Sequence, residues 1–152
     1  MKPPALKIIV TAVLLAVIQP SSASASGISC SCGNKAISGY DPVGYFNEGR
    51  SIKGSGLFQA SHNDANWRFT SEDNLKAFKQ SPEKYIPQYG GYCAWKSTEG
   101  ITSKANPTIW KMINGRLYFF SSTASRSKWE KDLDKHLRHA AAHSNKLPAR
   151  KN

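Results

Sequence analysis

Large apolar and polar residues alternate in two separate stretches of this chain before the spacing changes to that of a helix. Phe58–His62 and Asn66–Thr70 alternate in this way, and Asn63-Asp64-Ala65 between them has the length and composition of a hairpin loop. Ser71 has the character of a helix N-cap, with Glu72 and Asp73 where the helix dipole favours anions. Leu75 and Phe78 share a face of that helix, which ends at Ser81-Pro82; Pro82–Tyr85 then reads as a further short helical turn with proline first. The second alternating pair, Thr108–Ile113 and Arg116–Ser121, is joined by Asn114-Gly115, a dipeptide suited to the left-handed turn of a tight hairpin. From about Ser122 the period becomes helical: Trp129, Leu133, Leu137 and Ala140 recur at four, four and three residues, which predicts one long amphipathic helix.

Two stretches lack a clear period. In Gly39–Phe46, Pro42 forces its neighbour out of helical geometry, which predicts a turn feeding a short strand. In Tyr85–Ala94, three tyrosines, a glycine pair and a cysteine crowd into ten residues, so the segment reads as packed backbone turning sharply at Gly90-Gly91. The expected fold class is therefore α+β: a small antiparallel sheet of hairpins, a short helix after the first hairpin and a long C-terminal amphipathic helix, over residues 39–143. No internal repeat is visible.

The ends are of different character. Lys2 and Lys7, the apolar run Ile8–Ile18 and Ala23-Ser24-Ala25 fit a secretory signal over residues 1–25, cleaved after Ala25, with an uncleaved N-terminal anchor as the alternative. Residues 26–38, small and punctuated by glycine, read as a flexible leader, and residues 144–152 as a basic tail. Cys30 raises the question of a lipid anchor, but Gly27-Ile28-Ser29 lacks the leucine of a lipobox. The 152-residue chain carries a formal charge of +11, which becomes +9 without Lys2 and Lys7. That excess favours an acidic protein or an anionic membrane as partner. Lys128, Lys131, Lys135 and Arg138 lie opposite the apolar stripe, and nucleic acid is a poorer match for an exported protein.

The candidate chemistry is that of cysteine and histidine. Cys93 could pair with Cys30 or Cys32 in an oxidising compartment; alternatively Cys30 and Cys32 together take a soft cation such as Cu(I), leaving Cys93 as a small buried hydrophobe. His136, His139 and His143 fall within a narrow arc of the last helix, with Asp132 one turn before His136, a spacing that can hold copper or zinc. The plainer readings are a structural role for the cysteines and a polar helix edge for the histidines. There is no local Ser-His-Asp motif, phosphate-cradling glycine loop, Cys-x-x-Cys pair or haem-attachment sequence, so no catalytic residue is assigned. Asp41 before Pro42 reads as a turn acceptor.

Asp41-Pro42-Val43 with the aromatic pair beyond it, Trp67 to Asn74, Phe78, Ser81 to Tyr85 and Pro87 to Ala94 occur together and in order. This series resembles the YHS domain family in its secreted single-domain branch, over about Ile37 to Phe120 and best between Phe58 and Ala94. The resemblance implies a small α+β unit with a hairpin leading into a helix, and an expectation of metal. In the family's metal-handling branch, cysteines stand just after Asp-Pro-Val, within Phe-Cys-Ser and a few residues into the helix. This sequence has Gly44, Thr70 and Asn74 at those places, none a good soft-metal ligand, so that function does not transfer residue by residue. The sequence thus predicts an exported YHS-type binding or accessory module; if it has a ligand, the expectation is a transition metal, copper or zinc, at Cys30 and Cys32 or at the helical histidines. The alternative is a metal-free interaction domain with an aromatic binding cleft formed by Tyr45, Trp67, Tyr89, Tyr92 and Cys93.

Overall fold

A computed structural model describes residues 27–28, 30–31 and 34–143, excluding the side chains of Cys30, Ser31 and His143. The expected signal over residues 1–25, Cys32 and the basic tail from residue 144 lie outside the described residues.

Both hairpins form where alternation predicts them. Strands β3 (Ser55–His62) and β4 (Ala65–Phe69) pair antiparallel, with His62 opposite Ala65. Their turn is Asn63-Asp64 alone, at φ 50° and 55°, so Ala65 belongs to the strand. Asn and Asp enter this left-handed region because their short side chains can bond to nearby backbone. The other pair is β5 (Asn106–Ile113) with β6 (Arg116–Phe120), turned by Asn114 and Gly115 at φ 50° and 69°.

The hairpins do not share one antiparallel sheet. The first belongs to a four-stranded sheet in the order β1-β2-β4-β3, completed by β1 (Cys30–Ser31) and β2 (Lys35–Ala36). There β2 runs parallel to β4, with Lys35 opposite Asn66. The second hairpin is a separate two-stranded sheet, touched by a parallel bridge between Cys93 and Phe119. The expected flexible leader over residues 26–38 is therefore built into the fold where it is described: Ala36 and Ile37 are 0% and 3% exposed. Strands of two residues are too short to show a period. Ile37, Ser38 and Gly39 then turn through φ 42°, 57° and 77°, a path that a β-branched residue rarely takes.

The strand expected near Val43 is instead a helical turn, α1 (Gly44–Asn47). The first hairpin is followed by α2 (Glu72–Gln80), whose Ser71 cap accepts the Asn74 N–H at 3.2 Å, and by α3 (Pro82–Tyr85) with proline at its start. A short α4 (Ala94–Thr98) leaves the tyrosine-glycine segment. The predicted long C-terminal helix is two helices, α5 (Thr123–Glu130) and α6 (Leu133–His143), interrupted at Lys131-Asp132. Neither glycine nor proline marks the junction, so the apolar period runs through it. The stripe itself holds: Trp129 and Ala140 are buried, and Leu133 and Leu137 pack against the core.

Gly54 is required for sheet closure. Its N–H donates to the Gly39 carbonyl at 3.0 Å. A Cβ there would lie 2.6 Å from the Phe69 backbone nitrogen and closer still to the Arg68 carbonyl group. Gly54→Ala is expected to lower stability by about 1–3 kcal/mol, as overpacking against backbone does. The urea midpoint checks this, and an unchanged midpoint would show that the strands part at no cost.

Candidate functional site

Two stretches of chain distant in sequence, residues 41–44 and 70–74, meet at one carboxylate. Asp41 is 0% exposed, and a buried carboxylate is tolerated only where donors satisfy it. Oδ1 accepts the Val43 N–H at 2.8 Å and the Gly44 N–H at 3.4 Å, at the start of α1. Oδ2 accepts the Thr70 N–H and the Thr70 hydroxyl, each at 2.8 Å, and the Asn74 side-chain amide at 2.7 Å. That amide also donates to Thr70 Oγ1 at 3.1 Å, closing the network. The turn-acceptor role expected of Asp41 accounts for Oδ1. The bonds at Oδ2 come from residues 29 and 33 positions away, which no local reading reaches. The donors are backbone amides, a hydroxyl and a carboxamide already engaged with the carboxylate, a set that suits neither copper nor zinc as a soft or imidazole-seeking ion.

The residues expected to line an aromatic cleft are mostly core. Tyr45, Trp67, Tyr89 and Cys93 are 2%, 0%, 4% and 0% exposed, and only Tyr92 is half-buried. Their polar atoms have internal partners, which lets the whole side chain leave water. The Tyr45 hydroxyl donates to the Pro107 carbonyl at 2.8 Å while its ring meets Phe119 edge-on at 5.2 Å. Trp67 Nε1 donates to the His62 carbonyl at 3.0 Å, and its ring lies 5.1 Å from Phe78. Burial pushes the Tyr45 and Tyr89 hydroxyls well above the usual tyrosine range.

The tyrosine-glycine turn and α6 form the second polar junction. Tyr89, Gly90 and Gly91 follow one another at φ 54°, 61° and 86°. This left-handed path aims the Tyr89 hydroxyl at α6, where it lies 3.2 Å from His139 Nδ1. His136, one turn earlier, is 3% exposed: its ring stacks on Trp129 at 5.9 Å and stands edge-on to Trp95 at 5.5 Å. Its Nδ1 is buried without a hydrogen-bond partner among the described residues, as is Trp129 Nε1. Burial holds the imidazole below its ordinary value, opposed by Asp132 and Glu99 and aided by Lys135. His136 and His139 thus serve different partners, and the His143 imidazole lies outside the described atoms. Among the described residues no group of three or more His, Cys, Asp or Glu side chains gathers to hold a metal ion. The periodicity that marks α6 gives no sign of Trp95, which reaches His136 from α4.

Cys93 is a free thiol. It accepts the Ser121 hydroxyl at 3.4 Å, and its own N–H donates to Ser103 at 2.9 Å, so the expected pairing with Cys30 or Cys32 is not made. Cys30 sits in β1 opposite Ala36. Among the described residues no helix is long and apolar enough to cross a membrane. No family model, curated protein or solved structure matches the chain.

Proposed function

We propose that the protein is an exported YHS-type binding or accessory module that works without a metal of its own. The observation that carries this reading is the Asp41 network. Gly44, Thr70 and Asn74 stand where the resembled metal-handling proteins have cysteines, and all three donate to one buried carboxylate. Gly44 offers no side chain, and the polar groups of Thr70 and Asn74 are engaged in holding the anion. Hydrogen bonds thus take the place of a soft cation at that point, and the scaffold keeps its shape by them. The copper or zinc expected at the helical histidines loses support from the divergence of His136 and His139. On this reading the partner meets the module on its outer surface, which the burial of Tyr45, Trp67, Tyr89 and Cys93 supports.

Metal analysis tests the proposal. Protein purified from the exported fraction is expected to begin at Ser26 and, after equilibration with Cu(I) or Zn(II) and desalting, to retain well under one ion per chain. An equimolar ion retained by the wild type and lost from Cys30→Ser/Cys32→Ser would replace it with the metal-carrier reading.

A further inference from the structure

From the charge and exposure of the C-terminal helices, we infer that the outer face of α5 and α6 docks on an anionic phospholipid surface. This names a partner for the binding module proposed above and rests on that reading for its compartment. Positive charge is unevenly placed in the chain. Residues 104–152 hold eleven basic and three acidic residues, a net +8 of the chain's +11. Within α5 and α6 and at their junction, Lys128, Lys131, Lys135 and Arg138 are all exposed, and none takes part in an ion pair among the described residues. The one acidic residue of α5, Glu130, is neutralised by Lys111 at 3.1 Å and Arg126 at 3.3 Å and so does not offset them. Asp132 and Asp134 are exposed beside the basic residues and reduce the local excess without cancelling it.

The chemistry of the face selects among anionic partners. A protein interface is anchored by aromatic or aliphatic side chains that bury on contact. The exposed large hydrophobic residues of the described chain are Leu57 and Ile101, and neither lies on α5 or α6. The apolar stripe of these helices is turned inward, with Trp129 and Ala140 at 0% and 2% exposure. A face of long cationic side chains without an anchor suits a broad anionic surface that requires no fixed register, and four to eight such residues on an amphipathic helix are a lipid-recognition pattern. With no exposed large apolar side chain on α5 or α6 among the described residues, this face lies on the headgroups and does not enter the bilayer. In the sequence, Lys146, Arg150 and Lys151 follow α6.

Sedimentation with vesicles of phosphatidylcholine alone, or containing one third phosphatidylglycerol, tests this inference and is indifferent to metal content. Binding is expected to the anionic vesicles at low salt, none to the neutral ones, and complete release at about 1 M salt, where screening acts within about 3 Å. Lys131→Glu/Lys135→Glu/Arg138→Glu is expected to weaken binding at least about tenfold. The milder Lys135→Gln/Arg138→Gln should give a smaller loss with an unchanged circular dichroism spectrum. The charge-matched control Lys76→Glu/Lys79→Glu/Lys84→Glu, on α2 and α3, should stay within about twofold of wild type if location matters more than net charge. Equal losses in both triple variants, absence of binding to anionic vesicles at low salt, or tighter binding to polyglutamate or duplex DNA would each overturn the inference.

Discussion

Asp41→Asn is expected to lower the unfolding free energy by about 2–3 kcal/mol, because hydrogen bonds to a charged acceptor are worth more than neutral ones and buried donors left unsatisfied carry a desolvation cost. The substitution changes almost no volume, so the loss is electrostatic. An asparagine side chain presents one acceptor and one donor, while both Asp41 oxygens now face donors. Whichever way the carboxamide turns, its NH2 meets either the Val43 N–H or the Thr70 and Asn74 donors. Thr70→Val keeps the backbone bond and forfeits only the hydroxyl, so it is expected to cost about 1 kcal/mol. Asn74→Leu removes the 2.7 Å bond from the side-chain amide and falls between the two. Urea unfolding followed by tryptophan fluorescence measures all three. The Thr70→Val/Asp41→Asn double variant should cost less than the sum of its parts, since both changes act on the same oxygen. A loss from Asp41→Asn smaller than that from Thr70→Val would mean that the carboxylate is not what holds the start of α1 to Thr70 and α2.

The extent to which the fold can be read in the sequence follows from the range of the interactions that make it. The hairpins and the α2 cap depend on neighbours a few residues apart, and Asn114-Gly115 and Ser71 announce them directly. The class α+β follows from those elements. What the sequence hides is pairing across distance. The parallel contact of Lys35 with Asn66 has no periodic trace in a two-residue strand. The same limit applies to the site. The aromatic-rich segment Tyr85–Ala94 is packed as predicted at Tyr89 and Cys93, but composition does not distinguish core from cleft at Tyr45 and Trp67, whose polar atoms bond to Pro107 and His62. Histidines at helical spacing predict a shared face, yet the junction with α4 and the Tyr89 turn draws His136 and His139 to separate partners.

Trp129→Ala is expected to cost about 3–5 kcal/mol and, in addition, to change how stability responds to acid. The ring is 0% exposed and packed between β6 and α6, 5.0 Å from Tyr118, 5.5 Å from Phe120 and 5.9 Å from His136, so its removal leaves a hole that three neighbours must line. The acid response follows from His136, whose folded value is lowered from 6.5 chiefly by burial. A group that binds protons less readily in the folded state favours folding at high pH. Its contribution is complete above the unfolded value near 6.5, declines as pH falls, and levels off once the folded imidazole is itself protonated. Glu99 and Asp132 soften that decline by favouring the cation, and Lys135 steepens it. His136→Phe keeps an aromatic ring between Trp95 and Trp129 and removes the titration, so its stability relative to wild type should rise as pH is lowered from 8 to 5. In Trp129→Ala the imidazole regains water, its value moves back towards 6.5, and the fall in urea midpoint over the same range should be shallower than in wild type. Parallel curves for wild type and His136→Phe would assign the acid response to another group. A Trp129→Ala variant that kept the wild-type slope would mean that the stacked indole is not what desolvates His136.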